Sequence, residues 1–263
     1  MKNINFFLFF LLLCSSCEKK KEKIEAAYIY RKSNEHLYVV EPAKEVVRIP
    51  YPWENRYVGK HFRITKEFFR CKGSSSHPIL VGDQILSDCN GGHSLPLKEN
   101  KEYIYPLLID LLNYVQEKTE KEVIITTGHR CSKHNRYADK SSYNSTSMHM
   151  IGAEVDFYVM GMEERAEEVI DLIKQYYLED KEVSSDPDYR IFKRYTNKNV
   201  NVRIEPWYNQ EIFIKLYQPD EGRDIDNQHK HAYISIQMRY DRSKKEKVRF
   251  TYEAAERLLH ENS

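Results

Sequence analysis

A histidine and an aspartate seven residues apart, with one glycine between them, constrain this chain more than any other feature. The segment reads Ser147-Met148-His149-Met150-Ile151-Gly152-Ala153-Glu154-Val155-Asp156. Seven extended residues span roughly 23 Å. Two ligands of one zinc ion keep their donor atoms only about 3 to 4 Å apart. If His149 and Asp156 serve one ion, the chain between them folds back, and Gly152 can make that turn without steric penalty. Asp156 then falls on a strand, Ala153 to Val159, whose pleat can aim it at the ion. Each residue alone reads more simply, His149 as a loop histidine and Asp156 as a hydrogen-bond acceptor at a strand end. The spacing raises the pair above those readings.

Two further histidines, His229 and His231, open a late strand-like run. Residues two apart on a strand share a face. One could bind metal while the other stands beside it. Two exposed histidines in the polar loop from Asp224 to Lys230 are the simpler alternative. Two histidines and one carboxylate can hold zinc and leave a coordination position for water, which points to a hydrolase. Arg130, in Gly128-His129-Arg130-Cys131, follows the β-branched run Val123 to Thr127. Its guanidinium could grip a carboxylate through two parallel hydrogen bonds. His129 and His134 read as loop-orienting groups.

The chain has 263 residues, 41% of them apolar, which is enough for a real core. Its 41 basic and 40 acidic residues leave a net charge of +1, so nothing draws it toward nucleic acid. Residues 1–17 read as an export signal: Lys2, the apolar run Phe6 to Leu13, then Cys14-Ser15-Ser16-Cys17. The apolar run is shorter than the roughly 20 residues that span a bilayer. Small residues before Cys17 resemble a bacterial lipobox, although Cys14 stands where an aliphatic residue is usual. That implies a lipidated Cys17, a membrane anchor and an exported protein. Residues 18–26 form a charged tether, and 27–60 an extension with short β-type runs at Ala27 to Tyr30 and Leu37 to Val40. Of the remaining cysteines, Cys71, Cys89 and Cys131, a Cys71–Cys89 disulfide would contribute about 3 kcal/mol. Three reduced, partly buried thiols are the alternative.

The periodicity predicts an α+β fold, an antiparallel sheet with flanking helices. Helices are expected over 101–118 and Glu163 to Leu178, with a last one capped by Thr251 and reaching about His260. Gly73 to Leu97 should be mostly loop. Strands are expected at Val123 to Thr127, Ala153 to Val159, Tyr189 to Tyr195, Val200 to Glu205, Ile212 to Tyr217 and Ala232 to Tyr240.

Gly-His-Arg-Cys, His134-Asn135, Ser-x-His-x-x-Gly-x-x-x-Asp and the distant His-x-His together resemble the M15 zinc peptidases. These are D-alanyl-D-alanine carboxypeptidases and related peptidoglycan peptidases with a hedgehog-like fold. The run His61 to Cys71 resembles the Phe-x-x-x-Glu-Phe stretch that precedes the family's core and adds to the likeness, which spans about residues 60–240. It implies a peptidase domain over 61–263 acting on peptidoglycan stem peptides, or a non-catalytic binding module on the same fold. It implies that His149, Asp156 and His231 bind Zn2+, that Arg130 holds substrate and that Ser147 braces the site. His229 becomes the general base; with no Glu-x-x-His near His231, Glu205 is the other candidate. The implied chemistry is metal-assisted amide hydrolysis, with bound water brought to a pKa of about 7 and the oxyanion stabilised. One departure is Glu154, where the family usually has alanine. It could alter substrate preference or point to solvent from the opposite face of the strand.

Overall fold

An antiparallel sheet of six strands organises the protein, in a computed structural model that describes residues 56–256 apart from 74–78, 82–83, 87, 90, 92–93, 100, 140–143, 198–199 and 222–223. The strands are β1 (Val123–Thr127), β2 (Glu154–Val159), β3 (Lys193–Arg194), β4 (Trp207–Tyr208), β5 (Ile212–Tyr217) and β6 (Tyr233–Met238). Their spatial order is β1-β2-β6-β5-β4-β3, and every neighbouring pair is antiparallel. The helices are α1 (Pro106–Thr119), α2 (Ser132–Ala138) and α3 (Ala166–Glu179). Fold class and antiparallel sheet are therefore as the sequence pattern predicts. The signal, the tether and the β-type runs of the extension lie outside the described residues. A hairpin of Tyr57–Val58 and His61–Phe62 spans the boundary drawn at residue 60. Among the described residues no helix is long and apolar enough to cross a membrane.

The sheet has two chemically different faces because side chains alternate along each strand. Val155, Phe157 and Val159 of β2, Ile212, Ile214 and Leu216 of β5, and Ile234, Ile236 and Met238 of β6 are buried in the core. Helix α1 packs on β1 and β2, and α3 packs on β2, β5 and β6 and on α1. Each helix offers its apolar stripe, Leu107, Leu108, Leu111, Leu112 and Val115 from α1 and Val169, Ile170, Ile173 and Tyr177 from α3. Burying one such side chain contributes about 1.5–3 kcal/mol. The helices thus seal one face, leaving the face with Glu154 and Asp156 for chemistry.

Several expected boundaries shift. Helix α1 begins at Pro106, whose missing N–H costs nothing at a first helical position, so 101–105 stay outside it. The helix expected from Glu163 begins as a 3-10 turn, Glu163–Arg165, before α3. Val200 to Glu205 forms no strand, and Tyr189 to Tyr195 reduces to the turn Pro187–Arg190 and the two-residue β3. Gly73 to Leu97, expected as loop, contains a hairpin of Ile79–Val81 and Gln84–Leu86. The last helix is described over Tyr252–Glu256, with Thr251 Oγ1 accepting from the Ala254 N–H at 3.3 Å. Cys71, Cys89 and Cys131 are free thiols, so the expected Cys71–Cys89 bridge is not made.

Gly128 sits where the segment around Phe69 crosses the end of β1. A Cβ there would lie 2.6 Å from the Phe69 Cα and 2.7 Å from its carbonyl oxygen. The next residue, His129, donates its N–H to that same carbonyl at 2.6 Å. Gly128→Ala should therefore force two backbones apart and cost about 1–3 kcal/mol, the range for an overpacked interior. Thermal unfolding of the purified variant checks this, and an unchanged midpoint would refute the close-approach argument.

Candidate metal centre

His149 is carried by a 3-10 turn, Met148–Ile151, which Gly152 ends at φ +68°. That left-handed conformation reverses the chain, as the spacing from His149 to Asp156 requires. The Gly152 N–H bonds the carbonyls of His149 and Met148. Strand β2 then begins at Glu154. The His149 ring is fixed from behind, with Nδ1 2.8 Å from the Gly128 carbonyl. That oxygen accepts the Nδ1 proton, so the Nε2 lone pair faces forward. Nε2 lies 3.5 Å from Asp156 Oδ2 and 3.8 Å from Glu154 Oε2. The three donor atoms lie within 4.8 Å of one another. One imidazole and two carboxylates at this spacing suit a divalent cation with room for water.

Each carboxylate is held by its own partner. Asp156 Oδ2 accepts from Asn227 Nδ2 at 2.9 Å. Glu154 Oε1 accepts from Ser235 Oγ at 2.9 Å, which leaves Oε2 turned toward His149. Ser235 is the residue of β6 directly opposite Asp156. Electrostatically the cluster calls for positive charge. Burial disfavours protonation of His149, but Glu154 and Asp156 outweigh it and push its pKa up to about 9. Burial likewise opposes ionisation of Asp156, yet His149 and Arg130 hold its carboxyl below the usual carboxylate range. A cation must displace that imidazole proton to bind.

Glu154 and Asp156, two apart on β2, share a face. The expectation that Glu154 could point to solvent from the opposite face is thus reversed. His231 is not in this donor group. Its ring packs at a tilt against Tyr158, 5.0 Å between centres, two residues further along β2 from Asp156. His229 lies 5.2 Å from the same Tyr158 ring and 5.9 Å from His231. Glu205 is exposed, and its backbone carbonyl accepts from Arg194. Neither His229 nor Glu205 lines the cleft above the donor group, whereas Ser147 does.

Arg130 contributes to the cleft wall, but its side chain is only 2% exposed and its charge is committed. Nη2 reaches Asp224 at 2.5 Å and Nε reaches Asp226 at 2.7 Å. It secures the loop that presents Asn227, which is fully buried and reaches Asp156. A β-bulge in β1 sets two residues, Thr126 and Thr127, against Asp156. Their hydroxyls bond Asn227 Oδ1 at 2.6 Å and Asp226 Oδ2 at 3.4 Å. The hydrophilic run 224–227 is a brace, which its composition alone does not reveal. Asp224 does cap the 3-10 turn Ile225–Asn227, a pattern readable in the sequence.

The donors sit in a cleft of about 1220 Å³. Its walls include Tyr195, Tyr208, Phe213, Tyr217 and Tyr233, and Lys215 lies on its floor. Lys215 faces Ser235 across the β5–β6 pair, so only one residue separates it from Asp156 across the sheet. The sequence offered no sign of this lysine's position.

Residues 84–184 match the family model described as Peptidase M15. The matched segment runs from before α1 to the end of α3 and contains His149, Glu154 and Asp156. It supports a metallopeptidase of the M15 family. No curated protein and no solved structure matches the chain.

Proposed function

We propose that this protein is an exported zinc peptidase that hydrolyses D-amino-acid-containing bonds in peptidoglycan stem peptides. The observation that carries the reading is the convergence of His149, Glu154 and Asp156 at the base of a large cleft. In this reading Glu154, not His231, is the third metal ligand. The bound ion supplies Lewis acidity and a water acidic enough to ionise near neutral pH. The chain supplies the rest. Gly128 sets the His149 tautomer and Ser235 aims Glu154, each through a bond to the ligand's far side, while Asn227 holds Asp156 through the oxygen that faces His149. The aromatic walls exclude water from a bound peptide. With Arg130 committed to two aspartates, Lys215 takes over the substrate carboxylate, and Ser147 stands at the rim.

A hedgehog-like fold and lipidation at Cys17 belong to the same proposal. They rest on the motif resemblance and on the signal-like N-terminus. A non-catalytic peptidoglycan-binding module is the alternative the test must separate.

Zinc-loaded protein should release D-alanine or cleave a cross-link from defined muropeptides, detected by mass spectrometry, and a chelator should stop it. His149→Ala should lose the zinc of the cleft and turnover while its circular dichroism stays native. Glu154→Ala should weaken zinc binding by at least the roughly 10–100-fold that outer-sphere partners cost. Zinc retained at wild-type affinity by Glu154→Ala would remove it from the ligand set. Saturable muropeptide binding by zinc-loaded protein with no product would establish the binding module instead.

A further inference from the structure

Three cysteines from distant parts of the chain, Cys71, Cys89 and Cys131, pack into one cluster separate from the main core. They are 1%, 2% and 9% exposed, and His134 beside them is 3% exposed. We infer that these four residues bind a second metal ion, a structural zinc held by thiolates and one imidazole. The observation is a geometry of donors. The Cys71 and Cys89 sulfurs are 3.6 Å apart. Two thiolates on one tetrahedral zinc, each about 2.3 Å from it, stand about 3.8 Å apart. Cys71, Cys89 and His134 offer donor atoms that all lie within 4.8 Å of one another. Cys131 packs with both of these cysteines in the same buried cluster, beside that group of three, and would complete the set as the ion draws its sulfur in.

The backbone around the sulfurs fits thiolate ligation. Cys71-Lys72-Gly73 and Cys89-Asn90-Gly91 repeat one pattern. Both glycines are left-handed, at φ +55° and +73°. A Cβ on either would overlap the backbone of the other segment, so the two turns interlock. The His134 N–H donates to the Cys131 sulfur at 3.3 Å. His134 is already placed between two carboxylates, with Nδ1 2.7 Å from Asp88 and Nε2 3.0 Å from Asp226. On binding, Nδ1 exchanges Asp88 for the ion while Nε2 keeps Asp226, an arrangement common to metal-bound histidines. The three thiols release their protons as the ion enters. A Cys71–Cys89 disulfide would instead leave a third sulfur and an imidazole with no common purpose. The ion would fasten the segments that carry Cys71 and Cys89 to the turn after β1 that carries Gly128 and Arg130.

The test uses the full chain in a Cys14→Ser, Cys17→Ser background, so that terminal thiols cannot contribute. Loaded with cobalt, it should show the sulfur-to-cobalt charge-transfer absorption of thiolate ligation in the near ultraviolet. His149→Ala should keep that absorption and lose one of two metal equivalents. Cys89→Ser should abolish it. Cobalt-loaded protein with no charge-transfer band overturns the inference, and so does a disulfide between two of these cysteines in non-reducing peptide maps. The band is read on the unmutated cluster, so a Cys89→Ser variant that fails to fold leaves the test intact. If the band appears but His149→Ala loses no metal, the peptidase reading fails and this one stands.

Discussion

In the proposed peptidase, Asp156→Asn is expected to lower turnover of a muropeptide roughly 1000-fold or more, with loss of the metal ion proposed for the cleft. The amide keeps the volume of the carboxylate but removes the charge that opposes a divalent cation. Its one oxygen can still accept from Asn227 Nδ2, which now donates to Asp156 Oδ2 at 2.9 Å, but that oxygen is neutral and a far weaker metal donor. A metal supplies several kcal/mol of transition-state stabilisation, and each 1.4 kcal/mol is a factor of ten in rate. The fold should survive, because the apolar face of β2 is untouched and Asp156 remains isosteric. Turnover, metal content by mass spectrometry and near-ultraviolet circular dichroism check the three parts separately. Full metal content with wild-type turnover would sink the assignment of Asp156 as a ligand.

What could be read from the sequence is instructive because the successes and failures have different causes. The turn between His149 and Asp156 was legible, since a ligand pair seven apart needs a reversal and only Gly152 adopts φ +68° cheaply. The apolar runs of β1, β2 and β5 were legible because one face of each is buried in the core. The third member of the donor group was not, because it depends on register. An expected strand from Ala232 makes His231 look adjacent to the site, but β6 begins at Tyr233 and pairs Ser235 with Asp156. A shift of strand pairing cannot be read from one strand alone. Glu154 was visible as an oddity, and the two-residue spacing to Asp156 already put it on the same face. Arg130 was placed correctly at the end of β1, but its partners come from 94 and 96 residues later. Nothing local announces a pairing of that range.

Arg130→Ala should destabilise the protein by about 3–5 kcal/mol, the cost of breaking a buried ion pair from one side. The reason is the two carboxylates left behind. Asp224 and Asp226 are 17% and 14% exposed at the side chain, and both lean on this guanidinium. Burial pushes the Asp226 carboxyl up, but His134 and Arg130 outweigh it and hold it well below the usual carboxylate range. Its folded pKa is depressed, so it stabilises the fold above the unfolded value and loses that contribution as pH falls through the folded one. Without Arg130 the depression shrinks. The deficit of the variant should therefore be largest at neutral pH and smaller in acid, where protonated carboxyls need no partner. Arg130→Lys should recover only part of the loss, since one ammonium cannot reproduce the planar fork that serves both aspartates. Metal affinity should fall too, because the loop that carries Asn227 is the one released. Denaturant unfolding of both variants at several pH values measures this, with muropeptide kinetics alongside. Unchanged stability together with a raised KM would return Arg130 to the role of holding substrate and leave the 224–227 loop without its anchor.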